Sequence, residues 1–231
     1  LEEFDPVYGA IFLRSARLAL ITVAVCLVLC YPAAFWVSRL TGARKPLVLF
    51  LVTLPFFANL IVRVYAWMLV LRPTGVLTRA LDAVGLGALA PDLMFTETAV
   101  VIGLAYVLLP FMFLPLYASI EKLDPALLQP PQDLGAAPRQ GCPRLTLPLT
   151  APGILAGCLL VFIPAFGNFV VPALLGGAKV MLVGNTIEQQ FLAARNWPFG
   201  AALAMLVLGV LLAGLLAYAL RFRRGVAPAA S

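Results

Sequence analysis

Histidine is absent from this 231-residue chain, and charged side chains make up only 11% of it. A metal site of the Cys/His type is therefore excluded, and no cluster of carboxylates offers other catalytic groups. Cysteine is scarce too: there are four, and Cys26 and Cys30 lie one helical turn apart in an apolar run. Small packing residues are the simplest interpretation of that pair. These absences make an enzyme a remote alternative.

Apolar sequence is what the chain has in excess. Hydrophobic residues make up 63% of it and the mean hydropathy is +1.03, which does not describe a water-soluble domain. A helix needs about 20 mostly apolar residues to cross a bilayer. Five predicted spans meet that requirement: residues 10–37, 47–71, 98–120, 151–174 and 200–220. The opening LEEFD lacks the basic start of a signal peptide, so we expect the first span to remain. We predict an all-α transmembrane fold, one domain over residues 1–231.

Basic residues are distributed unevenly over the connections between these spans. If the spans are threaded in order, nine of the sixteen Lys and Arg residues fall on one side: Arg39, Arg44, Lys45, Lys122, Arg139, Arg144, Arg221, Arg223 and Arg224. Cytoplasmic loops carry such an excess. We therefore predict that this side, with the C-terminus, is cytoplasmic. The net charge of +6 then reflects topology, and a nucleic-acid partner is a poor interpretation of it.

Four prolines fall inside the predicted spans, at Pro55, Pro110, Pro115 and Pro164. Each removes a backbone donor and frees a carbonyl about one turn earlier. A freed carbonyl is costly in lipid unless protein or a water-filled cavity surrounds it. A kink that shapes packing and a break that forms a transport path are both open for any one proline, but three broken spans together favour a cavity.

Polar and aromatic side chains within or beside the spans form a predicted substrate pathway. Asn59, Arg63 and Trp67 recur every fourth residue and would share one helix face, and an arginine inside a membrane rarely faces lipid. The predicted pathway set is Asn59, Arg63, Trp67, Tyr106, Phe166, Asn168, Phe169 and Glu188. Alternatives stay open: Arg63 could extend to the headgroups, Asn168 could bond to another helix, and Glu188 could be solvated.

Two features point to the predicted extracytoplasmic side. Residues 75–87 have apolar side chains at helical spacing around Arg79 and Asp82, which predicts a short amphipathic helix on the membrane surface. Such a helix could also dock an extracytoplasmic protein. Arg14 and Arg17 lie near the start of the first span, where we interpret them as membrane anchors or partner contacts.

The one long polar interruption, residues 124–152, has the signals of a short helix. Asp124 and Pro125 suit its N-cap and first position, and Gly135 suits the residue after its end. The segment then leads through Leu145, Leu147 and Pro148 into the fourth span. A short helix held between two spans could transmit a push from a soluble partner into the membrane.

This loop resembles that of permease subunits of type I ATP-binding-cassette importers. Their loop carries Glu-Ala-Ala, three residues, Gly, nine residues, then an aliphatic residue, any residue and Leu-Pro. Gly135, Leu145, Leu147 and Pro148 match that frame. Further segments resemble the spermidine/putrescine branch: residues 108–124, 148–165, 174–179 and 196–202. The resemblance implies an ATPase-coupling loop over residues 121–150. Its implied coupling residues are Gln129, Pro130, Pro131, Asp133, Leu134, Gly135, Ala136, Arg144, Leu147 and Pro148.

The chain departs from that family pattern in two places. Gln129, Pro130 and Pro131 stand where the family has Glu-Ala-Ala, and two prolines inside a helix each cost about 3 kcal/mol or more. We therefore expect an interrupted helix there. Members of this branch have six spans with both ends cytoplasmic, whereas five are predicted here. We infer that a first span is missing from this sequence.

The resemblance implies a subunit of an ATP-driven, binding-protein-dependent importer that forms half of a pathway for polyamines or a related small cationic or amino compound. The chain has no phosphate-binding Gly-rich loop followed by Lys and Ser or Thr, so ATP and Mg²⁺ would bind to partner subunits. It would itself hold no cofactor or metal. The implied partners are a second permease, two ATPase subunits and an extracytoplasmic binding protein, at a bacterial inner membrane. A gated channel or structural membrane subunit without ATP coupling is the alternative.

Overall fold

A computed structural model describes residues 6–83, 93–123 and 146–225, which contain helices and no strand. The α-helices are α1 Pro6–Ser38, α2 Arg44–Thr53, α3 Leu60–Leu71, α4 Val76–Ala83, α5 Glu97–Glu121, α6 Ala151–Phe166, α7 Val183–Leu192 and α8 Trp197–Gly225. Three shorter turns of helix join them: Leu54–Phe57, Pro172–Gly176 and Gly177–Lys179.

The core is formed where α1, α5 and α6 pack against one another. Helix α5 lies at its centre and has the largest share of buried residues, among them Leu104, Met112 and Leu116. Cys26 and Cys30 of α1 are buried against α5, and their Sγ atoms lie 3.6 Å and 3.4 Å from the carbonyl oxygens of Ala105 and Leu109. Small side chains here allow the close approach of the two backbones, so the interpretation as packing residues is confirmed.

Ion pairs join both ends of α5 to other elements. At one end, Arg14 Nε of α1 donates to Glu97 Oε1 at 2.8 Å, and Arg14 Nη1 donates to the Lys179 carbonyl oxygen at 3.3 Å. We call this the outer end of the bundle. At the opposite end, Lys45 at the start of α2 pairs with Glu121, and this hydrogen bond raises the pKa of Lys45. Arg14, which the sequence suggested as an anchor or partner contact, thus has a partner within the chain.

Three predicted spans are confirmed nearly as expected. Helices α1, α5 and α8 extend the predicted 10–37, 98–120 and 200–220 by a few residues. Four described stretches are long and apolar enough to cross a membrane: Val7–Ser38, Leu60–Ala80, Glu97–Glu121 and Trp197–Leu216. Helix α6 is apolar too, but at 16 residues it is shorter than these four. A helical turn at 146–149 precedes it, and the Thr150 and Ile154 amides continue the hydrogen bonding into α6.

The second predicted span, 47–71, is not one helix. Helix α2 ends at Thr53, a single 3₁₀ turn follows with Pro55 in its first positions, and Ala58 is extended. Asn59 then caps α3, because its Oδ1 accepts a hydrogen bond from the Ile61 amide at 2.8 Å. Asn59 is thus the N-cap of α3, one turn before Arg63, whose amide donates to the Asn59 carbonyl at 3.2 Å. Its side-chain oxygen is used in capping the helix.

The fourth predicted span, 151–174, is also divided. Helix α6 ends at Phe166, with Gly167 as its C-cap, and residues 168–169 are not helical. Asn168, which the sequence placed inside a span, therefore lies between helices. In contrast, α5 passes through Pro110 and Pro115 without a break. Two spans are interrupted, where the prolines suggested three.

Two short helices were predicted outside the spans, and the described residues include only part of them. Helix α4 confirms the amphipathic helix expected in 75–87 as far as Ala83, and the Arg79 amide donates to the Gly75 carbonyl at its start. Residues 84–87 and the short helix expected at 124–135 lie outside the described residues.

Close packing of α5 on α6 predicts a specific stability loss. A Cβ atom at Gly153 would lie 2.3 Å from Ser119 Cβ and 2.8 Å from the Pro115 carbonyl oxygen, a backbone atom that cannot move aside cheaply. We expect Gly153→Ala to destabilise the protein by about 1–3 kcal/mol. The matched control is Gly209→Ala on α8, where a Cβ would meet nothing within 4 Å. Thermal unfolding in nanodiscs should show a lower midpoint for Gly153→Ala alone; equal midpoints would contradict the packing described here.

Candidate functional site

The break after α6 is held together by polar groups. Asn168 Oδ1 accepts a hydrogen bond from the Val171 amide at 2.9 Å, so it caps the next helical turn and does not bond to another helix through that atom. Asn185 of α7 is buried, and its Nδ2 donates to the Phe169 carbonyl oxygen at 2.8 Å. A Cβ at Gly184 would lie 2.5 Å from the Gly167 carbonyl oxygen, so only glycine permits this approach. The break and the start of α7 therefore form one packed unit.

Helix α1 completes this junction through Ser15. Its Oγ, in a fully buried side chain, accepts a hydrogen bond from the Val183 amide at 2.9 Å and donates to the Ile11 carbonyl at 2.8 Å. The first amide of α7 thus finds an acceptor on α1. Sequence reasoning missed Ser15 and Asn185. For Ser15 the sequence offered little signal, because it lies between Arg14 and Arg17.

A second group of predicted pathway residues lies where α3 faces α5. The Trp67 and Tyr106 rings meet edge to face, with centroids 5.6 Å apart, and Phe56 meets Phe111 in the same manner at 4.9 Å. Tyr106 is exposed and Trp67 is half-buried. Among the described residues, this aromatic face brings two predicted pathway side chains, Trp67 and Tyr106, into direct ring contact.

Arg63 lies on α3 one turn before Trp67, and its surroundings are unusual. Its Nε and Nη1 atoms are buried and have no hydrogen-bond partner among the described residues. Buried donors without acceptors are costly, and an arginine in a membrane interior normally pairs with another group or faces water. The acceptor for this guanidinium is therefore to be sought outside the described part of the chain.

The other predicted pathway residues lie in different surroundings. Phe166 is buried, with its ring between those of Phe12 and Phe162 at centroid distances of 5.0 Å and 5.8 Å, so it belongs to the core. Phe169 is exposed at the break after α6. Glu188 is half-buried on α7, and no ion pair holds it among the described residues. The structure therefore does not gather all eight residues into one site.

Two cavities accompany these elements. The larger, about 640 Å³, opens at the outer end between the end of α3, the start of α5 and Lys179. The smaller, about 260 Å³, has mostly apolar walls from α1, α7 and α8.

Most of the predicted coupling residues lie outside the described residues, namely Gln129, Pro130, Pro131, Asp133, Leu134, Gly135, Ala136 and Arg144. Leu147 and Pro148 are described, and both are exposed on the turn that precedes α6. Beneath them Thr146 is buried, with its hydroxyl oxygen 3.4 Å from that of Tyr31 on α1. A force on this turn would therefore reach both α6 and α1.

Residues 16–226 match the protein family described as "Binding-protein-dependent transport system inner membrane component". The chain belongs to this family. It is thus a membrane-spanning permease subunit, and the function class expected from the sequence is confirmed.

Named relatives agree with the family. The permease is 48% identical to the spermidine/putrescine transport system permease protein PotB of Escherichia coli (strain K12) over 211 residues, which cover 90% of this chain and 77% of that protein. It is equally identical to PotB of Haemophilus influenzae, covering 87% and 71%. It is 36% identical to the inner membrane ABC transporter permease protein YdcU of Escherichia coli (strain K12), covering 94% and 73%.

A solved structure supports the fold. The crystal structure of a bacterial ABC transporter involved in the import of the acidic polysaccharide alginate superposes with a TM-score of 0.66. The match covers 94% of this chain and 80% of that one at 19% identity. At that identity the likeness shows the fold alone, and it confirms the expected all-α permease fold.

The junction at the break predicts a role for Asn185 in holding the permease together. In Asn185→Leu the Phe169 carbonyl loses its donor, and an unpaired buried acceptor costs about 1–3 kcal/mol. We expect a lower unfolding midpoint in nanodiscs. The control is Gln189→Leu, an exposed position one turn later on α7. Equal stability of the two variants would show that the Asn185 hydrogen bond does not hold this junction.

Proposed function

We propose that this permease forms half of the membrane pathway of an ATP-driven importer for polyamines such as spermidine and putrescine. The observation that carries the proposal is its 48% identity to PotB along 90% of the chain. Two ATPase subunits, which bind ATP and Mg²⁺, a second permease and an extracytoplasmic binding protein would complete the complex. The membrane would be the bacterial inner membrane.

The two ends of the bundle support an orientation. Lys45 at the start of α2 pairs with Glu121 at the end of α5, so the connections that follow the first and third predicted spans begin at the same end of the bundle. Both carry basic residues in the sequence, as cytoplasmic connections do. The outer end, with Arg14, Glu97 and Lys179, would then face the binding protein. Helix α8 would end in the cytoplasm, where Arg221, Arg223 and Arg224 suit its last residues.

The packing suggests how ATP hydrolysis could move the pathway. The loop at 121–150 would contact an ATPase, and Leu147 and Pro148 lie exposed at the point where it enters α6. Helix α6 packs on α5 and α1, so its displacement changes the position of the break at 167–169 and of the α3–α5 aromatic face. Interrupted helices that contact packed neighbours are the elements by which transporters alternate access.

The pathway chemistry suits an elongated organic cation in part. Trp67 and Tyr106 offer aromatic faces to ammonium groups, an interaction of about 0.5–2 kcal/mol. Glu188 offers a carboxylate from α7. Arg63 repels cations, so it would either pair with a carboxylate of the second permease or limit the passage of more highly charged substrates.

The decisive experiment is transport by the assembled complex. We expect proteoliposomes containing both permeases, the ATPases and the binding protein to accumulate spermidine or putrescine, with ATP hydrolysis stimulated by the loaded binding protein. Amino acids and small anions serve as comparison substrates. Uptake of another class of substrate in place of polyamines would overturn the polyamine assignment. Conduction of substrate by the permeases with no ATPase bound would instead favour the gated-channel alternative, which is supported by the sequence Gln-Pro-Pro at 129–131 in place of Glu-Ala-Ala.

Arg63 gives a test of the pathway itself. Spermidine carries one more positive charge than putrescine. At about 10 Å and an effective dielectric constant of about 40, that charge meets about 0.8 kcal/mol more repulsion from a guanidinium, or about fourfold in rate. We expect Arg63→Gln to raise the maximal uptake of spermidine relative to putrescine by about that factor. Arg17→Gln, at an exposed position on α1, is the control. An unchanged ratio would place Arg63 away from the substrate.

A further inference from the structure

The outer cavity is enclosed by three separate parts of the chain. Its lining consists of Met68, Arg72, Pro73, Thr74, Met94, Phe95, Thr96 and Lys179. These residues come from the end of α3 and the turn after it, from the approach to α5, and from the 3₁₀ turn before α7. At about 640 Å³ the cavity has room for more than one side chain.

The charge of this cavity has one sign. Arg72 and Lys179 are exposed in its wall, and neither side chain has a hydrogen bond or ion pair to another described residue. No described carboxylate lines the cavity. Glu97 follows the lining residue Thr96, but it is already paired with Arg14 at 2.8 Å. Two cations therefore lie in one concave surface without a counter-charge from the described part of the chain.

The wall that holds these cations is fixed by backbone contacts. The Phe95 amide donates to the Leu175 carbonyl oxygen at 3.0 Å, and Phe95 has a φ of 62°, which is uncommon outside glycine. Its ring covers Gly177, where a Cβ would lie 2.7 Å from a ring carbon. Arg14 in turn donates to the Lys179 carbonyl oxygen. The cavity is therefore already shaped before any partner arrives.

We propose that this cavity receives carboxylate side chains of the extracytoplasmic binding protein, with Arg72 and Lys179 as their counter-charges. The inference rests on the proposed function, in which the outer end faces that protein. Charge complementarity favours this occupant over the substrate, because two unpaired cations repel a polyamine. The same repulsion keeps free polyamines from the outer end until the docked carboxylates neutralise it. Electrostatic complementarity of this kind accelerates and orients docking.

The test uses the complete importer in nanodiscs and measures ATP hydrolysis against the concentration of loaded binding protein. In the double variant Arg72→Glu with Lys179→Glu, we expect the half-saturating concentration to rise by about tenfold or more, since like charges would meet at the interface. Added salt should raise that concentration in the unmodified complex, where it screens attraction, and lower it in the charge-reversed variant, where it screens repulsion. The control is Arg195→Glu, an exposed arginine after α7 and outside the cavity lining, which should retain the unmodified value.

Other results would overturn the inference. An unchanged half-saturating concentration in the double variant, or an equal rise in the Arg195→Glu control, would show that the cavity does not dock the binding protein. A rise seen only with anionic lipid would assign the cavity to a headgroup phosphate. Loss of the second permease when the double variant is purified would assign the cavity to contact with that subunit. If the double variant expresses poorly, Arg72→Gln with Lys179→Gln is measured for the same rise in half-saturating concentration. Absence of any stimulation in the unmodified complex would instead refute the proposed function.

Discussion

The structure depends on one constraint: backbone amides and carbonyls inside a membrane must find partners within the protein, because lipid supplies none. The permease interrupts two of its predicted spans and meets this constraint with side chains at each interruption. Asn59 caps α3 after the first break. Asn168 and Asn185 satisfy groups around the second, and Ser15 accepts from the first amide of α7. Hydrogen bonds therefore fix the backbone conformation at each break.

Helix α5 gives these breaks a common support. It packs on both α1 and α6, and ion pairs hold each of its ends. Gly103 lets Leu175, from the segment after the second break, lie directly against it. The aromatic face shared with α3 lies on the same helix through Tyr106. Movement of α6 relative to α5 would therefore act on both interrupted regions at once, which is what a pathway with alternating access requires.

Several cationic side chains and apolar helix surfaces have no partner within the described bundle. Two donors of Arg63 lack acceptors, and Arg72 and Lys179 lack counter-charges among the described residues. Helix α2 has no buried residue, and Ile61 and Val62 of α3 are exposed. Within the described part of the chain these groups have no partner. Such surfaces are expected of a subunit of a larger membrane complex.

The sequence by itself determined the class of the protein, the approximate extent of three spans and the family. The length of an apolar run and the distribution of basic residues are local properties of the sequence. They govern insertion and orientation in a bilayer largely without tertiary contacts. The loop frame around Gly135, Leu147 and Pro148 is local in the same way.

Tertiary structure alone decided which prolines break a helix and which polar residues meet. Pro110 and Pro115 remain within a continuous α5, because its neighbours pack along its whole length, whereas the chain at Pro55 and after Phe166 turns away. Periodicity placed Asn59 on a helix face and apolar run length placed Asn168 inside a span, but both asparagines cap helical turns at the breaks in these spans. Arg14 met Glu97, and Ser15 met Val183, across 83 and 168 residues of sequence. Contacts of that range arise only from packing, and no spacing in the sequence encodes them.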